Sequence, residues 1–165
     1  MWLNRDVGRG AEIGELEALY RERYRHFLRV ASLIVGDLER AHDAVQEGFA
    51  AAIRSRRSYR GDGVLEAWVW RMVVNAAREQ RPDAAAEVAR GDPATENGDA
   101  VERRVVRAWI ASLPERQRLA VYLRYYADLD YRAIAEVLDV EVGTVSATLG
   151  AAHRKLRKEI QEVLQ

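Results

Sequence analysis

Apolar residues recur at helical spacing in two blocks of this chain, and about twenty residues between the blocks show no period at all. From Ile13 to Val35 they fall at Leu16, Leu19, Tyr20, Tyr24, Phe27, Leu28, Ala31, Leu33 and Ile34, one broad face that Gly36-Asp37 ends. A second helix is expected over about 38–54, with Ala41, Val45, Phe49, Ala52 and Ile53 inward. A third, LEAWVWRMVVNAARE (65–79), places Leu65, Trp68, Met72 and Ala76 on its buried face. Pro82 breaks the pattern, and PDAAAEVARGDPATENGDA (82–100) mixes Pro, Gly, small residues and acids without periodicity, which reads as a linker. Helices resume at about 101–112, at 115–126 after Pro114, at 130–138 and at 142–163. No stretch alternates as a strand. The expectation is an all-α chain of two small helical domains: an N-terminal helical bundle (1–81), a flexible acidic linker (82–102) and a C-terminal helix-turn-helix domain (103–165).

Charge is divided the same way. The formal net charge is zero. Residues 1–81 carry 14 Arg against 12 acids, residues 82–102 carry one Arg against six acids, and residues 103–165 carry 11 cations against eight acids. The blocks are therefore +2, −5 and +3, two mildly basic units around an acidic bridge. Of the 26 cations only Lys155 and Lys158 are Lys. Arg grips phosphate in two-pronged fashion better than Lys does, and a GC-rich coding bias accounts for the preference equally well.

Several function classes have no support. There is no Cys, hence no disulfide framework and no thiolate metal site. No Gly-rich phosphate loop is present, and His26, His42 and His153 are scattered without metal-ligand spacing. No enzyme activity, cofactor or metal is expected. No apolar run approaches the roughly 18 residues of a membrane span, and MWLNRDVGRGAEIGE lacks the apolar core of an export signal. Membrane insertion is not expected. A cytoplasmic, nucleoid-associated location is.

The segment DYRAIAEVLDVEVGTVSATLGAAHRKL (130–156) has helix-turn-helix spacing. A short helix presents Ile134, Ala135 and Leu138 inward, Asp139–Glu141 turn, and a second helix is buried through Val145, Leu149, Ala152 and Leu156. Such a second helix fits the DNA major groove, and a plain helical hairpin is the competing reading. The longer stretch LPERQRLAVYLRYYADLDYRAIAEVLDVEVGTV (113–145) resembles the −35-binding domain of bacterial RNA polymerase sigma factors, above all the two-domain extracytoplasmic-function (ECF) group. Output domains of response regulators look similar, so the N-terminal half decides.

There, LYRERYRHFLRVASLIVGDLERAHDAVQEGFAAAIRS (19–55) resembles the first part of the sigma −10 domain, whose D-x-x-Q-E segment stands here as Asp43, Gln46 and Glu47. These residues share one helix face. The resemblance implies that this face docks on the clamp helices of the polymerase β′ subunit. AWVWRMVVNAARE matches the family's W-x-x-R-x-x-x-N helix at Trp68, Arg71 and Asn75. In the family this helix and the loop before it capture −10 bases that leave the duplex. A flipped base needs a stacking surface and groups for its edge, and Asn75 offers both donor and acceptor. Arg57, Tyr59 and Arg60 lie in the loop. Trp68 sits on the buried stripe and reads as core, whereas Trp70, on another face, is expected to stack a base or touch the partner. Arg71 and Arg78 are expected on phosphates.

The resemblance implies binding to core RNA polymerase (β and β′ subunits), to promoter DNA and to an anti-sigma factor, with transcription initiation as the function. Two other readings stay open: a stand-alone helix-turn-helix regulator, and a sigma-like interaction module without promoter activity. The recognition helix departs from the family's T-V-K-S-R-L pattern. After Thr144 come Ser146, Ala147 and Thr148, and no Arg stands early to read guanine. The expectation is readout through Thr144, Ser146, Ala147, Thr148 and DNA shape, with Arg124, Arg154, Lys155, Arg157 and Lys158 on phosphates. Gly150 inside the helix costs about 1 kcal/mol against Ala, unless a close backbone approach requires it.

Overall fold

The computed structural model describes residues 10–81 and 98–163. Among them the chain forms seven α-helices and no strand: α1 (Ile13–Val35), α2 (Leu38–Ser55), α3 (Leu65–Glu79), α4 (Gly98–Ala111), α5 (Glu115–Tyr125), α6 (Tyr131–Leu138) and α7 (Val142–Val163), with a one-turn 3-10 helix at Arg56–Ser58. The all-α expectation holds. Residues 82–97, most of the acidic segment read as a linker, lie outside the described residues. The helix expected from about residue 101 begins earlier, at Gly98, inside that segment.

Local chemistry fixes the helix ends. The Glu15 carboxylate accepts from the Glu12 backbone N–H at 3.0 Å, closing the first turn of α1. Gly36 stops α1 in the left-handed conformation (φ 74°), donating its N–H to the Ser32 carbonyl at 2.8 Å. Asp37 then caps α2 by accepting from the Arg40 N–H at 3.1 Å. Asp130 does the same for α6 through the Ala133 N–H at 2.8 Å. Asp139 ends α6 at φ 55°, a conformation that Asp tolerates better than most residues.

Helices α1, α2 and α3 enclose an aromatic core. The Phe27 ring lies 4.1 Å from Trp70 and 5.1 Å, edge-on, from Phe49. Trp70 has no exposed surface, and its Nε1–H donates to Glu66 Oε1 at 3.2 Å. This corrects the expectation of an open Trp70. The buried stripe of α3 runs through Ala67, Val69, Trp70, Val73, Val74, Ala76 and Ala77, while Leu65, Trp68 and Met72 flank it half-buried. Two sides of α3 face helices, so its apolar arc is wider than the single stripe read from spacing. Ile53, expected inward, is exposed. Where α2 crosses α3, a Cβ on Gly48 would lie 2.6 Å from Val73 Cα, so only hydrogen fits there.

The C-terminal unit has an aliphatic centre of Leu123, Ile134, Val145 and Leu149. Arg118, only 9% exposed, buries its stem and donates from Nη1 to the Ala111 carbonyl at the end of α4, 2.8 Å away. The two units pack against each other, α3 against α6 and α1 against α5. Arg23 joins them, with Nε on Glu66 Oε1 and Nη2 donating to the Ala127 carbonyl, both at 2.8 Å. The Arg29 guanidinium lies 4.7 Å from the Tyr126 ring centre.

Candidate nucleic-acid interface

The outer face of α3 is a single stripe. Trp68, Arg71, Asn75 and Arg78 follow at i, i+3, i+7 and i+10, so they project on one side of the helix. Arg71, Asn75 and Arg78 are exposed and Trp68 is half-buried. The whole W-x-x-R-x-x-x-N motif therefore shares this face, and the aromatic surface beside Asn75 belongs to Trp68, not Trp70. Sequence spacing carries that signal, yet Trp68 also fits the apolar pattern that places it in the core.

The loop before α3 is stapled rather than loose. The Tyr59 hydroxyl donates to the Gly63 carbonyl at 2.6 Å, and its ring tilts against Trp68 at 5.4 Å. Arg57 and Arg60 project outward on either side of this half-buried tyrosine. The loop and α3 thus present two linked rings, two outward cations and an exposed amide on one surface. That combination suits an unpaired base and its flanking phosphates.

Arg71 and Arg78 are exposed but paired. Arg71 Nη2 lies 3.7 Å from Asp139 Oδ2, and Arg78 meets the Glu115 carboxylate with both Nε (2.9 Å) and Nη2 (3.3 Å). Both acids come from the C-terminal unit. Asn75, Arg78, Glu79 and Glu115 line one cleft. The sequence reading missed these acids because the partners are 37 and 68 residues apart and nothing local pairs them.

On α2, Asp43, Gln46 and Glu47 are exposed on one face, as their spacing predicts, with Glu47 also 2.7 Å from Arg54. Beneath them Tyr24 hydrogen-bonds His42, and burial together with neighbouring Tyr20 pushes the Tyr24 phenol above its ordinary 10.0.

Along α7, Ser146 and Ala147 are exposed, Thr144, Thr148, Gly150 and Ala151 are half-buried, and Arg154, Lys155, Arg157 and Lys158 are exposed. Among the described residues nothing approaches Gly150 except the Arg154 guanidinium, 3.5 Å from where its Cβ would be, so no backbone contact there requires this glycine. Arg154 reaches back one turn, as helical side chains do, and brings a cation next to the uncharged front half. His153 turns aside to Tyr125, with 2.8 Å between Nε2 and the phenol oxygen. Arg124, expected on phosphate, is half-buried: Nη1 donates to the Leu129 carbonyl at 3.1 Å and its guanidinium lies 5.9 Å from the Tyr131 ring centre.

Comparison with known proteins agrees with this layout. Residues 19–86 match the model of sigma-70 region 2, and residues 101–156 match that of sigma-70, region 4. The chain is 32% identical over 164 residues to the RNA polymerase sigma-H factor of Pseudomonas aeruginosa, covering 87% of this chain and 85% of that one. It is likewise 32% identical, over 168 residues and with the same coverage, to the ECF RNA polymerase sigma-E factor of Escherichia coli. Among solved structures, CnrH in complex with the cytosolic domain of CnrY has a similar fold, with a TM-score of 0.71 at 19% identity over 92% of this chain and 91% of that one. The sigma factor RpoE from Bartonella quintana, in complex with the anti-sigma factor NepR, gives 0.71 at 15% identity over 90% of this chain and 98% of that one.

Proposed function

The chain belongs to the ECF group of sigma factors and acts as an alternative sigma factor directing transcription initiation; from that premise we propose how its surfaces divide the task. Residues 1–81 bind core polymerase and open the −10 element, residues 103–165 contact the −35 element, and residues 82–102 connect them. The protein carries no chemistry of its own. It selects where the polymerase starts.

The observation that carries this reading is the α3 stripe of Trp68, Arg71, Asn75 and Arg78 beside the Arg57–Arg60 loop. A −10 base that leaves the stack loses stacking energy, and a sigma factor must return it on its own surface. The linked Tyr59 and Trp68 rings supply stacking area, Asn75 reads the base edge, and Arg57, Arg60, Arg71 and Arg78 hold the phosphates. Asp43, Gln46 and Glu47 on α2 meet the β′ subunit, and the C-terminal unit also contacts β. On α7, Thr144, Ser146, Ala147 and Thr148 face the −35 bases, and Arg154, Lys155, Arg157 and Lys158 grip the backbone. Arg124 supports this surface by fixing the turn into α6. Each contact set is modest by itself, and linking them on one polymerase multiplies their effect. An anti-sigma factor that covers these surfaces completes the set of partners, all of them in the cytoplasm and at the nucleoid.

Run-off transcription with purified core polymerase tests the reading. Transcripts from a genomic promoter must depend on this chain, and their absence from every promoter fragment bound in the cell would overturn it. Asn75→Ala is expected to slow promoter opening about tenfold or more while core binding is unchanged, measured by permanganate footprinting beside a core pull-down. Unchanged opening would remove Asn75 from base capture.

A further inference from the structure

We propose that Arg154 is the base-reading cation of α7: its guanidinium, lying one turn up the helix over Gly150, meets the N7 and O6 edge of a guanine in the −35 element. The inference rests on the reading of α7 as the −35 helix. It takes Arg154 out of the group of backbone cations and gives it a specificity role at the same site.

The start of α7 poses the problem. From Val142 to Ala152 no residue carries a charge. Neither Ser146 nor Thr148 can donate two parallel hydrogen bonds to guanine, as an arginine does. The faces of the helix decide which cation can serve this zone. Val145, Leu149 and Ala152 are buried against the rest of the C-terminal unit. At about 3.6 residues per turn, the direction opposite that stripe passes through Ala147, Gly150 and Arg154. Arg154 therefore stands at the centre of the outward face, with Lys155 and Arg157 on its flanks. Lys158 lies a further turn down, 3.7 Å from Glu162 Oε1. His153 is turned aside to Tyr125.

A helical side chain leans toward the N-terminus and covers the surface one turn above its own Cα. In Arg154 this lean sets Nη1 3.5 Å from where a Gly150 Cβ would be. With a rise of about 1.5 Å per residue, that is a backward reach of roughly 6 Å, from the basic tail into the uncharged half. Gly150 leaves the room. A methyl group there would only touch Nη1, whereas a longer side chain would take its place. Arg154 is exposed and forms no ion pair among the described residues, so its fork of donors is free. A cation on a phosphate gains the same energy at every sequence. A guanidinium held over the middle of the groove-facing side instead selects G·C, the pair that sets two acceptors side by side in the major groove. The flanking cations reach the phosphates that border the groove.

The test uses holoenzyme assembled from core polymerase and the full chain. It is bound to a promoter duplex in which each −35 base pair is changed in turn, and affinities are read by competition. Wild type is expected to favour G·C at one position by roughly tenfold or more. R154A is expected to lose that preference and keep those at the other positions, with its salt slope nearly unchanged. R154K keeps the charge without the fork, and is expected to restore affinity but not the full preference. Placing 7-deazaguanine at that position alters no protein residue and removes one acceptor. It must weaken wild type and leave R154A unaffected. G150L, which fills the place of the guanidinium, must reproduce R154A, and G150A must keep the preference. Three results would each overturn the assignment: no guanine preference at any position, a uniform loss across all sequences in R154A with the slope lowered by about 1, or a preference that survives in G150L. Failure of the −35 reading itself is distinct, because Arg157→Ala and Ser146→Ala would then also leave binding to every −35 variant unchanged.

Discussion

Helices α3 and α7 are the two helices proposed to face DNA, and they carry their charge in opposite ways. On α3, Arg71 and Arg78 bracket Asn75 and are already held by acids from the other unit. On α7, the front half is uncharged and the cations begin at Arg154, with Arg154, Lys155, Arg157 and Lys158 all exposed. On the proposed reading, the helix that captures single bases is rigid and preorganised, and the helix that lies on duplex relies on fit and on a basic tail. Unstacked bases need a shaped surface, whereas a duplex brings its own shape.

The sharpest way to break the comparison is to attack the rigidity of α3. Trp70→Ala removes a fully buried ring stacked on Phe27, and is expected to cost about 3–5 kcal/mol of stability by denaturant unfolding. Trp68→Ala, on the half-buried flank, is expected to cost less than half as much yet impair promoter opening more. Equal stability losses would mean that the two tryptophans share the core. Next in size is Gly48→Ala, whose Cβ would lie 2.6 Å from Val73 Cα and force α2 from α3, for a loss of about 1–3 kcal/mol in the same assay.

On α7 the expected effects concern DNA rather than folding. Arg157→Ala should weaken holoenzyme binding to every −35 sequence alike and lower the salt slope by about 1. Ser146→Ala should leave the slope unchanged and relax sequence preference, read by competition among −35 variants. If both substitutions act alike, α7 makes no base contact at its front. Smallest is Gly150→Ala, whose Cβ among the described residues meets only Arg154 Nη1, at 3.5 Å, and should stabilise the C-terminal unit by about 0.5–1 kcal/mol. The contrast between Gly48 and Gly150 is the contrast between the helices in miniature: one glycine is demanded by packing, the other is not.

Much of this organisation was legible in the linear pattern. Helical spacing, Gly36-Asp37, Asp130 and Asp139 located the helices and their ends, because periodicity and capping act over a few residues. The exposure of Asp43, Gln46, Glu47, Arg71, Asn75 and Arg78 followed from the same spacing. Trp70 did not, since spacing reports one stripe while α3 is covered by helices on two sides. Spacing places Arg124 among the phosphate contacts, yet its head donates to the Leu129 carbonyl, which no local rule signals.

By itself, then, the sequence determined an all-helical chain, the helix ends, the helix-turn-helix and the sigma-factor motifs with the faces that bear them. Only the tertiary structure decided which tryptophan fills the core, why Gly48 is needed and Gly150 is not, and that acids of the C-terminal unit sit on the cations of α3. The reason is range. Periodicity and capping are set within a turn or two of the chain, whereas ion pairs such as Arg71 with Asp139 exist only once distant helices are packed side by side.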